Sequence, residues 1–194
     1  MGLSILLAAM FAIQGAEPAP IDAVVLHPFT PQKYTCSEHF EGELPYPGDA
    51  LGADCAVVGD NGTRRDGASS NADYYSWRQP VLAPFDGEVV ATNTNPVTNE
   101  PGTLGSPPAS FIILRRADGV MVMIGHVREV VVSEGDEVEA GQYMARIGNN
   151  GMSTSPHIHI GAWRDETPLQ IRWDLRAMGE MRREGWDWPE GVEP

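Results

Sequence analysis

Two histidines stand two positions apart in Ser155-Pro156-His157-Ile158-His159-Ile160-Gly161. In an extended strand, residues i and i+2 share a face about 6.5 Å apart, while Ile158 and Ile160 turn the other way, toward a core. The two imidazoles then project side by side, which suits one ring as a metal ligand and its neighbour as a proton carrier. A third histidine, His126, closes the alternating stretch Val120-Met121-Val122-Met123-Ile124, and Gly125 before it permits close backbone approach. Any one of these histidines alone reads as an ordinary structural residue. His-x-His on one strand, with a histidine ending another strand of the same small sheet, points to a site.

The elements that must position these groups are short strands. Residues 81–91 read as strand, Asp86-Gly87 turn, strand. Residues 110–115 and 120–126 form a hairpin across Ala117-Asp118-Gly119. Residues 127–132 and 142–148 flank the turn Ser133-Glu134-Gly135-Asp136, and 157–163 is a further strand. The polar stretch 92–108 is long enough to wall a cleft. Residues 17–80 are broken every few positions by Pro or Gly and read as loops with short strands. Only 173–184 has helical spacing. The fold class is therefore all-β, an antiparallel sandwich or barrel with a short C-terminal helical segment. Met121, Met123 and Met144 read as core, Trp163 and Trp173 as packing for the C-terminal segment, and Trp186 and Trp188 as surface.

Composition narrows the function classes. Of 194 residues, 42% are hydrophobic and 21% charged, too apolar for a disordered chain, and no apolar run reaches a membrane span. The formal net charge is −14, and Lys33 is the one lysine, so the basic stripe that nucleic acid requires is missing. Adhesion to anionic lipid or anionic wall polymers is disfavoured for the same reason. Residues 3–13 form an apolar run followed by Gln14-Gly15-Ala16, which reads as a secretory signal cut near Ala16 and places the protein outside the cell or in the periplasm. In an exported chain the two cysteines, Cys36 and Cys55, are expected to pair; as zinc ligands they would need His27 and His39 beside them. The organisation expected is 1–16 signal peptide, 17–79 loop-rich N-terminal part, 80–175 β core and 176–194 tail.

Several ordered segments carry a resemblance: Pro-Val-Leu-Ala-Pro-Phe-Asp-Gly-Glu-Val-Val (80–90), Ala-Asp-Gly-Val (117–120), Gly-His-Val (125–127), Val-Ser-Glu-Gly-Asp-Glu-Val-Glu-Ala-Gly-Gln (132–142), Ile-Gly-Asn-Asn-Gly (147–151) and Ser-Pro-His-Ile-His-Ile (155–160). Together they resemble the lysostaphin-type (LytM-like) zinc metallopeptidases, which hydrolyse peptide bonds in peptidoglycan cross-links. The resemblance implies a cleft on an antiparallel sheet, His159 as a zinc ligand, and His126 and His157 as the histidines that activate water and stabilise the transition state, in an order left open. Peptidoglycan peptides are the implied substrate.

The compact His-x-x-x-Asp that usually supplies the family's other two ligands is missing. Asp73 lies at a plausible distance before Pro80-Val81, but Ser69 stands where that histidine would be. The upstream histidines are His27 and His39. Zinc accepts neutral imidazole and carboxylate readily, so His39 with Asp54 is the preferred pair and Asp73 the rival carboxylate. A Cys36–Cys55 bridge would clamp His39 and Asp54 onto one segment. The competing function is a non-catalytic LytM-like module that binds peptidoglycan or regulates another wall hydrolase. Retention of His126, His157 and His159 favours the enzyme. The hairpin motifs also resemble biotinyl- and lipoyl-carrier domains, but Lys33 lies far from any hairpin tip that could carry the attachment.

Overall fold

Alternation of apolar and polar residues builds most of this molecule. The computed structural model describes residues 21–42 and 44–192. The early part contributes β1 (Ala23–Leu26), β2 (Tyr34–Glu38), β3 (Ala53–Val57) and a single 3-10 turn at Asn71–Asp73. There follow β4 (Pro80–Leu82), β5 (Gly87–Asn93), β6 (Phe111–Arg116), β7 (Val120–Gly125), β8 (Val127–Arg128) and β9 (Glu137–Val138). The chain closes with β10 (Tyr143–Ile147), β11 (Ile158–Arg164), β12 (Thr167–Trp173) and helix α1 (Leu175–Glu184).

The large sheet runs β1-β12-β11-β7-β6-β5-β9, with β3 also on β11 and β2 on β3; β4-β10-β8 form a second, smaller sheet. Ile112, Leu114, Val120, Val122, Ile124, Ile158 and Ile160 of the large sheet are fully buried with Val81, Met144 and Ile147 of the small one. Each such side chain contributes about 1.5–3 kcal/mol of burial, and together they fix which face of β7 and β11 is left for other work. The small sheet thus covers one side of the large sheet, and the histidines emerge on the other.

One edge of β11 is divided between two partners. Its first half pairs with β3, from Ile158↔Cys55 to Ile160↔Ala53, and its second half with β12, from Ala162↔Leu169 to Arg164↔Thr167. The other edge pairs with β7, where His159 lies opposite Gly125. His159 therefore sits between β3 and β7.

The expected β6–β7 hairpin is present and turns at Gly119 with φ 86°, which glycine adopts without steric cost. The structure departs from the sequence-based expectations in three places. β4 and β5 do not form a hairpin: β4 joins β10, while β5 joins β6 and β9, so the Asp-Gly turn carries the chain between sheets. β12 follows the last strand read from the sequence, and its Pro168 sits next to the strand start, where a missing N–H is tolerated. β1 pairs with β12 in parallel, an exception to the antiparallel pattern. Met144 is fully buried as expected, but Met121 and Met123 lie half-buried on the face opposite Val122. Trp173 packs on Phe29 and Tyr34 at 5.6 and 5.4 Å, and α1 is capped by Asp174, whose carboxylate accepts from the Arg176 and Ala177 N–H groups. The expected signal peptide, residues 1–16, lies outside the described residues.

Cys36 and Cys55 are directly opposite one another in the β2–β3 ladder and form a disulfide, so the alternative use of these thiols in a zinc site with His27 or His39 does not arise. The bridge closes a loop with a sequence separation of 19 residues. Chain-entropy arguments give such a loop about 3 kcal/mol of stabilisation. The double variant Cys36→Ala/Cys55→Ala is expected to lose an amount of this order in urea unfolding, and an unchanged midpoint would contradict it.

Candidate metal centre

Three strand ends converge on one cleft. His159 is carried by β11, with Asp54 of β3 as its in-register neighbour. His39 directly follows β2, and its backbone continues the ladder: the His39 N–H donates to Gly52 O at 2.8 Å and Leu51 N–H donates to His39 O at 2.9 Å. His126 occupies the junction of β7 and β8 with φ 61°, a left-handed backbone that costs a non-glycine residue free energy and turns the chain out of the sheet. His157 immediately precedes β11.

The structure brings His39, Asp54 and His159 together: each offers a ligand atom, and these atoms lie within 4.8 Å of one another. His159 Nδ1 is 2.9 Å from Asp54 Oδ1, and His39 Nε2 is 3.7 Å from Asp54 Oδ2. Zinc with bonds of about 2.0–2.1 Å in tetrahedral geometry spaces its donors by about 3.3 Å, between these two values, and two imidazoles with a carboxylate are donors it prefers. The residues present fit the ion. His126 and His157 lie alongside, with ring centroids 4.7 Å apart, and His157 Nε2 is 3.4 Å from Asp54 Oδ1. The cleft, about 280 Å³, is also lined by Leu44, Leu104, Met152 and Thr154. A larger depression of about 680 Å³ at the β5–β9 end, lined by Glu88, Arg115 and Glu139 among others, contains no histidine.

Asp73, the rival carboxylate, is placed elsewhere. It caps its own 3-10 turn, accepting from the N–H groups of Ser69 and Ser70 and from the Ser70 hydroxyl, and these bonds lower its pKa. His27 also stands apart, its Nδ1–H donating to Pro28 O.

Hydrogen bonding fixes the tautomers of the two flanking histidines, because a carbonyl can only accept. His126 Nδ1–H donates to Asn150 O at 2.8 Å and His157 Nδ1–H to Ser155 O at 2.8 Å, leaving each Nε2 for the cleft. Burial, aided by the neighbouring His157, pushes the His126 pKa down to about 3, so this ring is neutral at pH 7. Burial opposes ionisation of Asp54, but the neighbouring His157 and His159 outweigh it and hold its pKa well below the carboxylate range. Burial likewise opposes a charged His159, and Asp54 and Asp49 override it to raise that pKa.

Sequence reasoning missed Tyr46, Asp49 and Asn150. Asp49 is fully buried, with Oδ1 2.8 Å from His159 Nε2, and the Tyr46 hydroxyl is 2.8 Å from the same nitrogen. Asn150 clamps the His126 turn: its side chain donates to Val127 O and accepts from Ser110 N–H. Each of these sits in a polar, turn-rich stretch, where burial leaves no periodic signal.

Comparison with known proteins gives concordant results. The sequence model of Peptidase family M23 matches residues 69–171, a stretch that contains His126, His157 and His159 and begins after His39 and Asp54. Peptidoglycan DD-endopeptidase ShyA of Vibrio cholerae serotype O1 is 28% identical over 80 residues, 41% of this chain and 16% of that protein. An uncharacterized metalloprotease of Haemophilus influenzae is 32% identical over 80 residues, 41% of this chain and 15% of that protein. The aligned stretch thus spans about a sixth of these curated relatives. Among solved structures, a SpoIIQ–SpoIIIAH pore-forming complex matches at a TM-score of 0.50 with 20% identity, covering 77% of this chain and 89% of that one, a likeness of fold.

The buried His126 gives a pH signature. Its folded pKa of about 3 lies below the ordinary 6.5, so between these values the unfolded chain binds a proton that the folded chain does not. Stability from this group is complete above pH 6.5 and is lost as the pH falls toward 3. In chelator-treated protein, the parent is expected to lose more unfolding free energy between pH 7 and pH 4 than His126→Gln does; equal losses would contradict the assignment.

Proposed function

The chain belongs to peptidase family M23, and from that membership we propose that it is a zinc-dependent endopeptidase that hydrolyses peptide cross-links of peptidoglycan. His39, Asp54 and His159 hold the metal, and His126 and His157 handle the water and its proton. The observation that carries this reading is the convergence of two imidazoles and a carboxylate, from three strand ends, beside two further histidines.

Bound zinc supplies an acidified water and a Lewis acid for the scissile carbonyl. The chain's own groups do the rest. His126, neutral and with its N–H spent on the Asn150 carbonyl, presents a bare Nε2 that accepts a hydrogen bond from the attacking water and orients it. His157 has its Nδ1–H on Ser155 O and its Nε2 beside the Asp54 carboxylate, which stabilises the imidazolium formed when that nitrogen takes up the water's proton. The same Nε2 returns the proton to the leaving amine. Exposed Leu104 and Met152 on the cleft wall offer apolar contact to a peptide.

The Cys36–Cys55 disulfide supports an oxidising location, the periplasm or the cell exterior. No helix among the described residues is long and apolar enough to cross a membrane.

Purified protein is expected to carry close to one zinc per chain and to release new amine termini from isolated peptidoglycan. Alanine at His39, Asp54 or His159 is expected to abolish zinc retention. His157→Ala is expected to keep zinc and lose about 10²–10⁴ in kcat. A fully active His157→Ala would remove the role given to that ring, and a zinc content near zero in the parent would favour a non-catalytic module acting on the wall or on another hydrolase.

A further inference from the structure

The segment between His39 and Asp54 does more than connect them. It folds back over β11 and packs unusually close to it. A Cβ at Gly161 would overlap the Gly48 carbonyl oxygen, and one at Gly52 would lie 2.7 Å from the Ile160 carbonyl oxygen. The Tyr46 ring packs against Trp163 in a tilted arrangement with centroids 5.5 Å apart. This close approach delivers Asp49 to the back of the histidine pair, on the side away from Asp54.

Asp49 is without solvent exposure. Its Oδ2 accepts the Leu44 N–H at 2.7 Å, and its Oδ1 faces both imidazoles, 2.8 Å from His159 Nε2 and 4.0 Å from His39 Nδ1. The His39 Nδ1 is buried and has no hydrogen-bond partner among the described residues, so this carboxylate oxygen is the acceptor toward which a slight closure of the site would bring it. The Tyr46 hydroxyl is hydrogen-bonded to Asp49 and completes the cradle around His159 Nε2.

We propose that Asp49, supported by Tyr46, is a positioning residue that presents the metal-facing nitrogens of His159 and His39. The proposal rests on the zinc reading given above. A carboxylate only accepts hydrogen bonds, so its contact requires a proton on His159 Nε2 and thereby leaves Nδ1, the nitrogen beside Asp54, bare when the ring is neutral. The same logic holds for His39 with the nitrogens exchanged. Asp49 and Asp54 also set two carboxylates beside a divalent cation, whose charge offsets the cost of burying Asp49. The insertion that separates the two upstream ligands in sequence is therefore the element that backs the site.

The test measures zinc affinity by chelator competition and the visible spectrum of the cobalt(II)-substituted protein for the parent, Asp49→Asn, Asp49→Ala and Tyr46→Phe. Melting of the metal-free forms reports folding. Asp49→Asn, which keeps the shape of the side chain, is expected to bind zinc about 10–100-fold more weakly and to shift the cobalt bands. Tyr46→Phe is expected to do the same to a smaller extent. If Asp49→Ala does not fold, the other two variants carry the test. A role confined to holding the Leu44 N–H would lower melting while leaving zinc affinity within twofold of the parent and the cobalt spectrum unchanged, and that result in folded Asp49→Asn would overturn the proposal. A parent that binds no zinc would overturn the metal reading itself, and this inference with it.

Discussion

The pairing of β3 with the first half of β11 is the constraint on which the rest of the site depends. It sets Asp54 beside His159 across 105 residues of chain, at a spacing of 2.9 Å, and neither group could be placed so closely by local structure. The pairing exists because β11 gives up half of one edge to β3 and the other half to β12. Ile158 and Ile160 anchor β11 in the core, so the face that carries His159 is fixed by burial. A register slip of one residue would turn the histidine into the apolar core and the isoleucines out of it. The Cys36–Cys55 bridge ties β2 to β3 at the same level and so keeps His39, the residue after β2, next to Asp54.

Holding these groups together has an electrostatic consequence. Two carboxylates and four imidazoles gather around one small cleft, and Asp49 is removed from water altogether. Buried charges persist only when paired or metal-bound. The histidines supply this pairing, which is why Asp54 stays ionised and His159 gains basicity. His126 behaves oppositely. It lies against the core with the Asn150 carbonyl as its hydrogen-bond acceptor, and burial keeps it neutral. One cluster thus contains imidazoles driven in opposite directions, which suits a division of labour between metal holding and proton handling.

Much of this was legible in the sequence where chemistry coincided with period. Alternation located β6, β7 and β11, the Asp118-Gly119 turn located their hairpin, and His-x-His at the start of β11 located the cleft. The choice of Asp54 over Asp73 rested on weaker ground, yet the structure groups Asp54 with the histidines and keeps Asp73 in its own turn. Long-range relations were not legible. The parallel placement of β1, the division of β4 and β5 between sheets and the burial of Asp49 all depend on contacts between distant segments. Tyr46-Pro47-Gly48-Asp49 looks like an exposed polar turn. Its one clue was Gly48, whose missing side chain lets the loop lie against β11.

The central claim is that a single metal ion joins an early hairpin to the late strand. The most direct measurement is a crystal structure of the protein grown with zinc, with anomalous data collected on both sides of the zinc edge. The account predicts one strong anomalous peak within bonding distance of His39, Asp54 and His159. A peak elsewhere, or none while these three side chains point apart, would contradict it.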